Sequence, residues 1–230
     1  MIVKSIITLI KKRSRSHPVL GVNDIWLFII SGVVLNIMPG PDSLYIVSRS
    51  ASQGFKAGSS AAFGTASGVL VHSFIAALGL SAILTTSTIA LTILKMLGCA
   101  YLVYLGFSTL IKNGDSENLY HSSHRKISLS KIFYQGFVTN ILNPKVALFF
   151  LAFMPQFIDN DAPNKALAFL FLGLVFNINS LLWSHILAWS SSSLSVKIKC
   201  SELMTITLNR CAGCLFIGFG VKLAMMQHAF

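Results

Sequence analysis

Thirty-eight consecutive residues, Ala57 to Leu94, contain no Asp, Glu, Lys or Arg. A helix crossing a bilayer needs about 20 mostly apolar residues. The run is therefore too long for one span and fits two helices joined at Thr85-Thr86-Ser87-Thr88. The second of these continues through Lys95 to Ile111. Ile25 to Pro41 is also uncharged, and beyond Asp42 its apolar run reaches Ser48. Ile132 to Ile158 holds one charge, Lys145, and Ala166 to Val196 holds none. Pro163 precedes that fifth block at a suitable helix start. A weaker last block runs roughly from Leu208 to Met226, with Arg210 and Lys222 near its ends, where long side chains snorkel. The expected fold is an all-α integral membrane protein of six transmembrane helices. A basic tail, 1–21, would precede one membrane domain, 22–230, made of half-repeats at about 22–112 and 131–228.

Composition agrees with the spans. Charged residues make up 11% of the chain and apolar ones 54%, whereas a soluble domain carries about 25% charged residues. The net charge of +11 comes from 7 acids against 18 bases, a scarcity of acids more than a wealth of bases. The bases fall mostly between apolar blocks, where membrane proteins keep their orientation signals. A soluble enzyme, a nucleic-acid partner and a disordered chain are all poor fits. In residues 1–21 a short apolar run, Ile6 to Ile10, precedes the bases Lys11, Lys12, Arg13 and Arg15. That order is wrong for a secretory signal and suits an amphipathic tail on anionic lipid. Lys and Arg in the loops favour cytoplasmic odd-numbered loops, nine against two, with both termini outside. The basic tail argues the other way.

Two segments repeat at an offset of 104. Gly32-Val33-Val34-Leu35-Asn36-Ile37-Met38 aligns with Gly136-Phe137-Val138-Thr139-Asn140-Ile141-Leu142. Each runs into a proline break, Pro39-Gly40-Pro41-Asp42 in the first helix and Asn143-Pro144-Lys145 in the fourth. A three-helix unit crosses the membrane an odd number of times, so its repeat is inverted, as in many secondary transporters. Pro39 frees the carbonyl of Leu35, Pro41 that of Ile37 and Pro144 that of Asn140. In hydrocarbon each free carbonyl needs repair, and Asn36, Asn140 and Asn143 are well placed to supply it. Matching breaks in two halves point to a central substrate site.

Asp42 and Lys145 nearly superpose in the repeat with opposite signs. Charges at this depth face the protein interior and pair with each other, a substrate or water. Asp42 is the only acid within the first five spans, and so the candidate to take a proton or an ammonium group. Lys95 either meets a carboxylate or snorkels. His72 and His185 are either proton relays or hydrogen-bonded packing residues. Ser60, Gly64 and Gly68 stand four apart, a spacing that lets helices approach closely within one chain or in a homodimer. Cys211-Ala-Gly-Cys214 is a CxxC without metal-ligand company, more simply read as small residues in a helix.

The chain resembles the LysE/RhtB amino-acid exporters over about residues 22–226. The resemblance is carried by Pro39-Gly40-Pro41-Asp42, Arg49-Ser50, Gln53 to Gly58, Gly64 to His72 and Ala77 to Leu80. It continues in Leu94-Lys95, Leu97 to Leu102, Tyr104-Leu105-Gly106, Gly136-Phe137, Asn140, Asn143-Pro144-Lys145, Phe149-Phe150 and Pro155-Gln156-Phe157. It implies a six-helix, multi-pass exporter of a small amino acid in the bacterial inner membrane, exchanging substrate for protons and needing no cofactor or metal. The basic tail, Met38 and the CxxC depart from the family pattern. On this reading two inverted halves rock around a midplane site. Asp42 exchanges a proton for the substrate ammonium, while Lys145 and amides at the broken helix ends hold the carboxylate. The alternative is a membrane thiol-electron carrier using Cys211 and Cys214, although the first and fourth helices contain no cysteine. A membrane metal hydrolase would need an acid and histidine cluster that the sequence lacks.

Overall fold

The computed structural model describes residues 19–82, 126–159 and 161–193, with isolated positions between 89 and 110 and at 210, 217, 218 and 221. The basic tail up to Pro18, the Thr85–Thr88 turn, most of the third and sixth expected helices, Lys95, Cys211 and Cys214 lie outside the described residues. What is described is helical, apart from short connecting turns and one isolated antiparallel bridge, Val22 to Ile158. An apolar chain in lipid has no water to satisfy its backbone, and a helix satisfies that backbone internally.

The first broken span consists of α1 (Ile25–Ile37) and α2 (Pro41–Gln53), bent by 55° at the break. Gly54 then turns the chain, and α3 (Phe55–Ile75) starts at once and continues through a π-helical turn, Ala76–Leu80. Gly54 has φ +84 and open space around it, so its backbone conformation is what calls for glycine there. The second broken span begins with α4 (Leu129–Ile141), whose N-cap Ser128 accepts from the Lys131 amide. It bends by 47° into α5 (Pro144–Leu148), followed by a π turn, Phe149–Phe153, and a 3-10 turn, Met154–Phe157. Both breaks restart with proline in the first helical turn, where the missing N–H costs nothing. Last comes α6 (Lys165–Ser193), started by Asn164 accepting from the Leu167 amide. The α3 and α6 helices are each long and apolar enough to cross a membrane, and each bent pair passes the same test together.

The two broken spans run antiparallel. At one face the start of α1 meets the end of the α5 segment, where the Asn23 amide donates to the Phe157 carbonyl and Asp159 to Gly21. At the other face the end of α2 meets the start of α4, where the Ile127 amide donates to Gln53 Oε1 at 2.7 Å. The α3 and α6 helices are antiparallel too, since Gly58 touches Ala188 and Gly173 touches Ser73. The repeat glycines pack in a matching way. Gly136 lies against Ala61 on α3, and Gly32 against Phe176 and Asn179 on α6. Gly64 and Gly136 bring α3 and α4 into backbone contact, and a Cβ on Gly64 would sit 2.1 Å from the Phe133 carbonyl oxygen. The small-residue stripe is thus used inside the chain, at the α3–α4 seam, and Ser60 Oγ donates to the Leu129 carbonyl beside it.

Two apolar clusters hold these helices. The larger is aromatic, built around Phe28, Phe149, Phe150, Phe153, Phe157, Phe169 and Phe176. The smaller is Ile46, Ala57, Ala61, Ala62, Ile132 and Ala188. Every described span passes from one cluster to the other, and polar residues fall between them in each. Trp26 near the start of α1 and Trp189 near the end of α6 are largely exposed, as expected of indoles at the two membrane interfaces.

Candidate functional site

The polar layer between the clusters is built by the two proline breaks. Pro39 cannot donate to Leu35, so α1 ends with unsatisfied carbonyls. Lys145 supplies the donor: its Nζ bonds the Leu35 carbonyl at 3.1 Å and the Met38 carbonyl at 3.0 Å. An ammonium at the negative end of a helix dipole is favourable. Gly40 makes room for it. Its backbone is extended, with φ -143, so any residue could adopt the conformation, but a Cβ would sit 2.9 Å from Lys145 Nζ.

The second break is repaired differently. The Asn140 carbonyl freed by Pro144 accepts from the Asn143 amide at 2.9 Å and from His72 Nε2 at 3.2 Å. That contact makes Nε2 the protonated nitrogen of His72. Asn143 also caps α5, its Oδ1 accepting from the Lys145 amide at 3.0 Å. The side-chain amides of Asn140 and Asn143 are left to serve another group. Both donate to Asp42 Oδ2, at 2.7 and 3.0 Å. Asp42 sits in the first turn of α2, where the helix dipole favours a carboxylate.

Several expectations change here. Asp42 and Lys145 do not join in a direct ion pair; each charge is held by neutral groups of the opposite break. The Leu35 and Asn140 carbonyls are repaired by Lys145 and by His72 with the Asn143 backbone amide, and by no asparagine side chain. With two donor positions already on carbonyls, Lys145 is badly placed to hold a substrate carboxylate. His72 is at the site as a donor to a break carbonyl. His185 is not at the site: it bonds Ser59 and the Leu181 carbonyl between α3 and α6. Ser59 lies 13 residues from His72 on the same helix, roughly 20 Å along its axis. Pro39 and Pro41 are exposed, while Gly40 is buried beneath Lys145.

A largely enclosed cavity of about 20 Å³ remains, room for about one water. Its walls include Asn36, Asp42, Thr65, Asn140, Trp183 and Ser184. Four of the wall residues have a buried polar atom with no hydrogen-bond partner among the described residues: Asn36 Nδ2, Asp42 Oδ1, Asn140 Oδ1 and Trp183 Nε1. Buried polar atoms are ordinarily paired, so a cluster of two donors and two acceptors around one cavity has the character of a ligand site. Leu35, Val146 and Phe176 supply the apolar wall. Sequence reasoning missed the α6 contribution. Ser180, Trp183 and Ser184 stand at i, i+3 and i+4 within an uncharged run, a polar stripe at helical period that would have revealed them.

Antiparallel broken spans around a closed polar cavity are an arrangement shared with many membrane transport proteins. The LysE type translocator family matches residues 33–227, and the chain belongs to that family, the LysE/RhtB translocators. It is 30% identical over 213 residues to an uncharacterized membrane protein of Pseudomonas aeruginosa, covering 90% of this chain and 97% of the relative. It is 28% identical over 211 residues to a leucine efflux protein of Salmonella typhimurium, with coverage of 90% and 97%. A leucine efflux protein of Enterobacter is 30% identical over 207 residues, with coverage of 90% and 98%. No solved structure matches the chain. Family membership favours transport over thiol-electron chemistry at Cys211 and Cys214.

Proposed function

We propose that this chain exports a small amino acid with an apolar side chain across the bacterial inner membrane in exchange for protons. The observation that carries the reading is the set of four unpartnered atoms. Asp42 Oδ1 and Asn140 Oδ1 can accept from a substrate ammonium, and Asn36 Nδ2 and Trp183 Nε1 can donate to its carboxylate. This gives a zwitterion both of its partners while Lys145 stays on the carbonyls of α1. The apolar wall of Leu35, Val146 and Phe176 favours an aliphatic side chain, and two relatives are named for leucine efflux. At about 20 Å³ the cavity is too small for such a substrate, so the described state is a closed one and transport requires the site to widen.

The proposed mechanism is alternating access by two inverted three-helix halves, six spans in all. The antiparallel broken spans and the matching packing of Gly32 and Gly136 support it. Asp42 is the coupling residue, ionised when it holds the ammonium and protonated when it returns empty. The face carrying Arg49, Lys56, Lys126 and Lys131 is assigned to the cytoplasm. The test is an export screen. Cells with and without the protein are loaded with dipeptides of leucine, threonine or lysine. Faster release of leucine in the cells that carry the protein is the expected result. Equal release of all three amino acids with and without it contradicts the reading.

A further inference from the structure

Among the described residues a packed cluster lies on either side of the Asp42 cavity, and the two are built from different materials. Toward the face of Val22 and Ile158 lies the large aromatic cluster, closed at its end by backbone bonds of 2.8 Å (Asn23 to Phe157) and 2.9 Å (Asp159 to Gly21). Toward the basic face lies the small alanine-rich cluster, and across it a side-chain network joins the first half to the second. The single hydroxyl proton of Tyr45 is shared between Gln135 Oε1 and the Ile132 carbonyl, both at 3.0 Å from Oη. Arg49 Nη2 reaches the same Gln135 Oε1 at 3.4 Å, and the Arg49 guanidinium lies 5.4 Å from the centre of the Tyr45 ring.

Asp42, Tyr45 and Arg49 stand at i, i+3 and i+7 on α2, a single stripe facing α4. Asp42 meets α4 through Asn140, and Tyr45 and Arg49 meet it through Gln135. The network therefore lies on the same seam as the cavity, between the cavity and the basic face. It joins α2 to α4 through one amide oxygen and one backbone carbonyl, and the Ile127 amide on Gln53 Oε1 ties the same two ends nearer the basic face. Such bonds are individually weak because water replaces them when they open, whereas parting a packed aromatic cluster exposes a large apolar area.

We propose that Tyr45, Arg49 and Gln135 form the gate through which substrate enters the Asp42 cavity from the basic face. Opening it separates α2 from α4 while the aromatic cluster keeps the opposite face shut. This rests on the transport reading above, and the experiment separates the two. Ser43 lines the cavity beside Asp42. In full-length protein with its native cysteines replaced, Ser43→Cys is labelled by a membrane-impermeant thiol reagent in vesicles of known orientation, with no substrate present.

With the gate intact, labelling from the basic face is slow. Gln135→Leu removes the acceptor shared by Tyr45 and Arg49, and labelling from that face should rise about tenfold, the equivalent of one lost hydrogen bond. Tyr45→Phe keeps the ring and loses the hydroxyl, and should raise it by a smaller factor. Gln135→Glu offers Arg49 a carboxylate and should lower it. Labelling unchanged in both Gln135→Leu and Tyr45→Phe, or raised from the opposite face alone, overturns the proposal. If Gln135→Leu does not fold, Tyr45→Phe and Gln135→Glu decide it by moving the rate in opposite directions or failing to. If labelling responds as expected but no amino acid is exported by the intact protein, the gate stands and the substrate reading fails.

Discussion

The two proline breaks solve the same problem with unequal means. At the first, the carbonyls of Leu35 and Met38 depend on one ammonium that arrives from the other half of the chain, Lys145. At the second, the Asn140 carbonyl has two donors, the Asn143 backbone amide and His72. The first break cannot hold its shape alone, whereas the second has spare capacity and lends its two amides to Asp42. The lesson is one of mutual dependence. Each break's charge is seated on the other break, so separating the halves would unseat both charges together.

This inequality predicts graded damage. Lys145→Met keeps the stem and removes the ammonium, leaving two buried carbonyls without that donor. A loss of about 3 kcal/mol is expected, read as a fall in apparent melting temperature of about 10 °C in detergent. A fall no larger than that of the His72 variant below would break the comparison. Gly40→Ala should cost about 1–2 kcal/mol, because its Cβ displaces Lys145 Nζ from the same carbonyls. Combined with Lys145→Met it should add little, since the two act through one contact; full additivity in the same melting assay would assign Gly40 another role. His72→Leu should cost about 1 kcal/mol, because the Asn143 amide still reaches the Asn140 carbonyl. His72→Gln, which keeps a donor but carries no titrating ring, should restore both stability and transport. Stability restored without transport would return His72 to the role of proton relay.

The described spans and the breaks were legible in the sequence because they follow from local rules. Long uncharged runs force helices in lipid, and proline names the carbonyl it frees. Pro39 pointed to Leu35 and Pro144 to Asn140, and both carbonyls are repaired where the rule says repair is needed. The identity of the repairing groups was not legible. Asn36, Asn140 and Asn143 are near in sequence, but Lys145 lies 110 residues from Leu35 and His72 lies 68 from Asn140. The His72 pairing follows from the packing of α3 on α4, where Gly64 and Gly136 allow backbone contact, and the Lys145 pairing from the meeting of the two breaks; no local pattern encodes which side chain such contacts bring near. The same blindness applies to α6. Without a break or a charge in that run, Trp183 and Ser184 looked like ordinary members of an apolar helix.

Asp42 is the residue on which coupling depends in this account, and replacing it by asparagine isolates the charge from the shape. The introduced side chain would still offer an oxygen to the amides of Asn140 and Asn143, so the site should stay assembled. The decisive measurement is leucine transport by the purified protein in proteoliposomes, with and without an imposed pH gradient. The account predicts that Asp42→Asn inserts and folds, exchanges leucine downhill, and no longer moves it against its gradient when a proton gradient is applied. Uphill transport by Asp42→Asn at the normal rate, with unchanged dependence on pH, would contradict it and leave Asp42 as a capping residue of the broken helix.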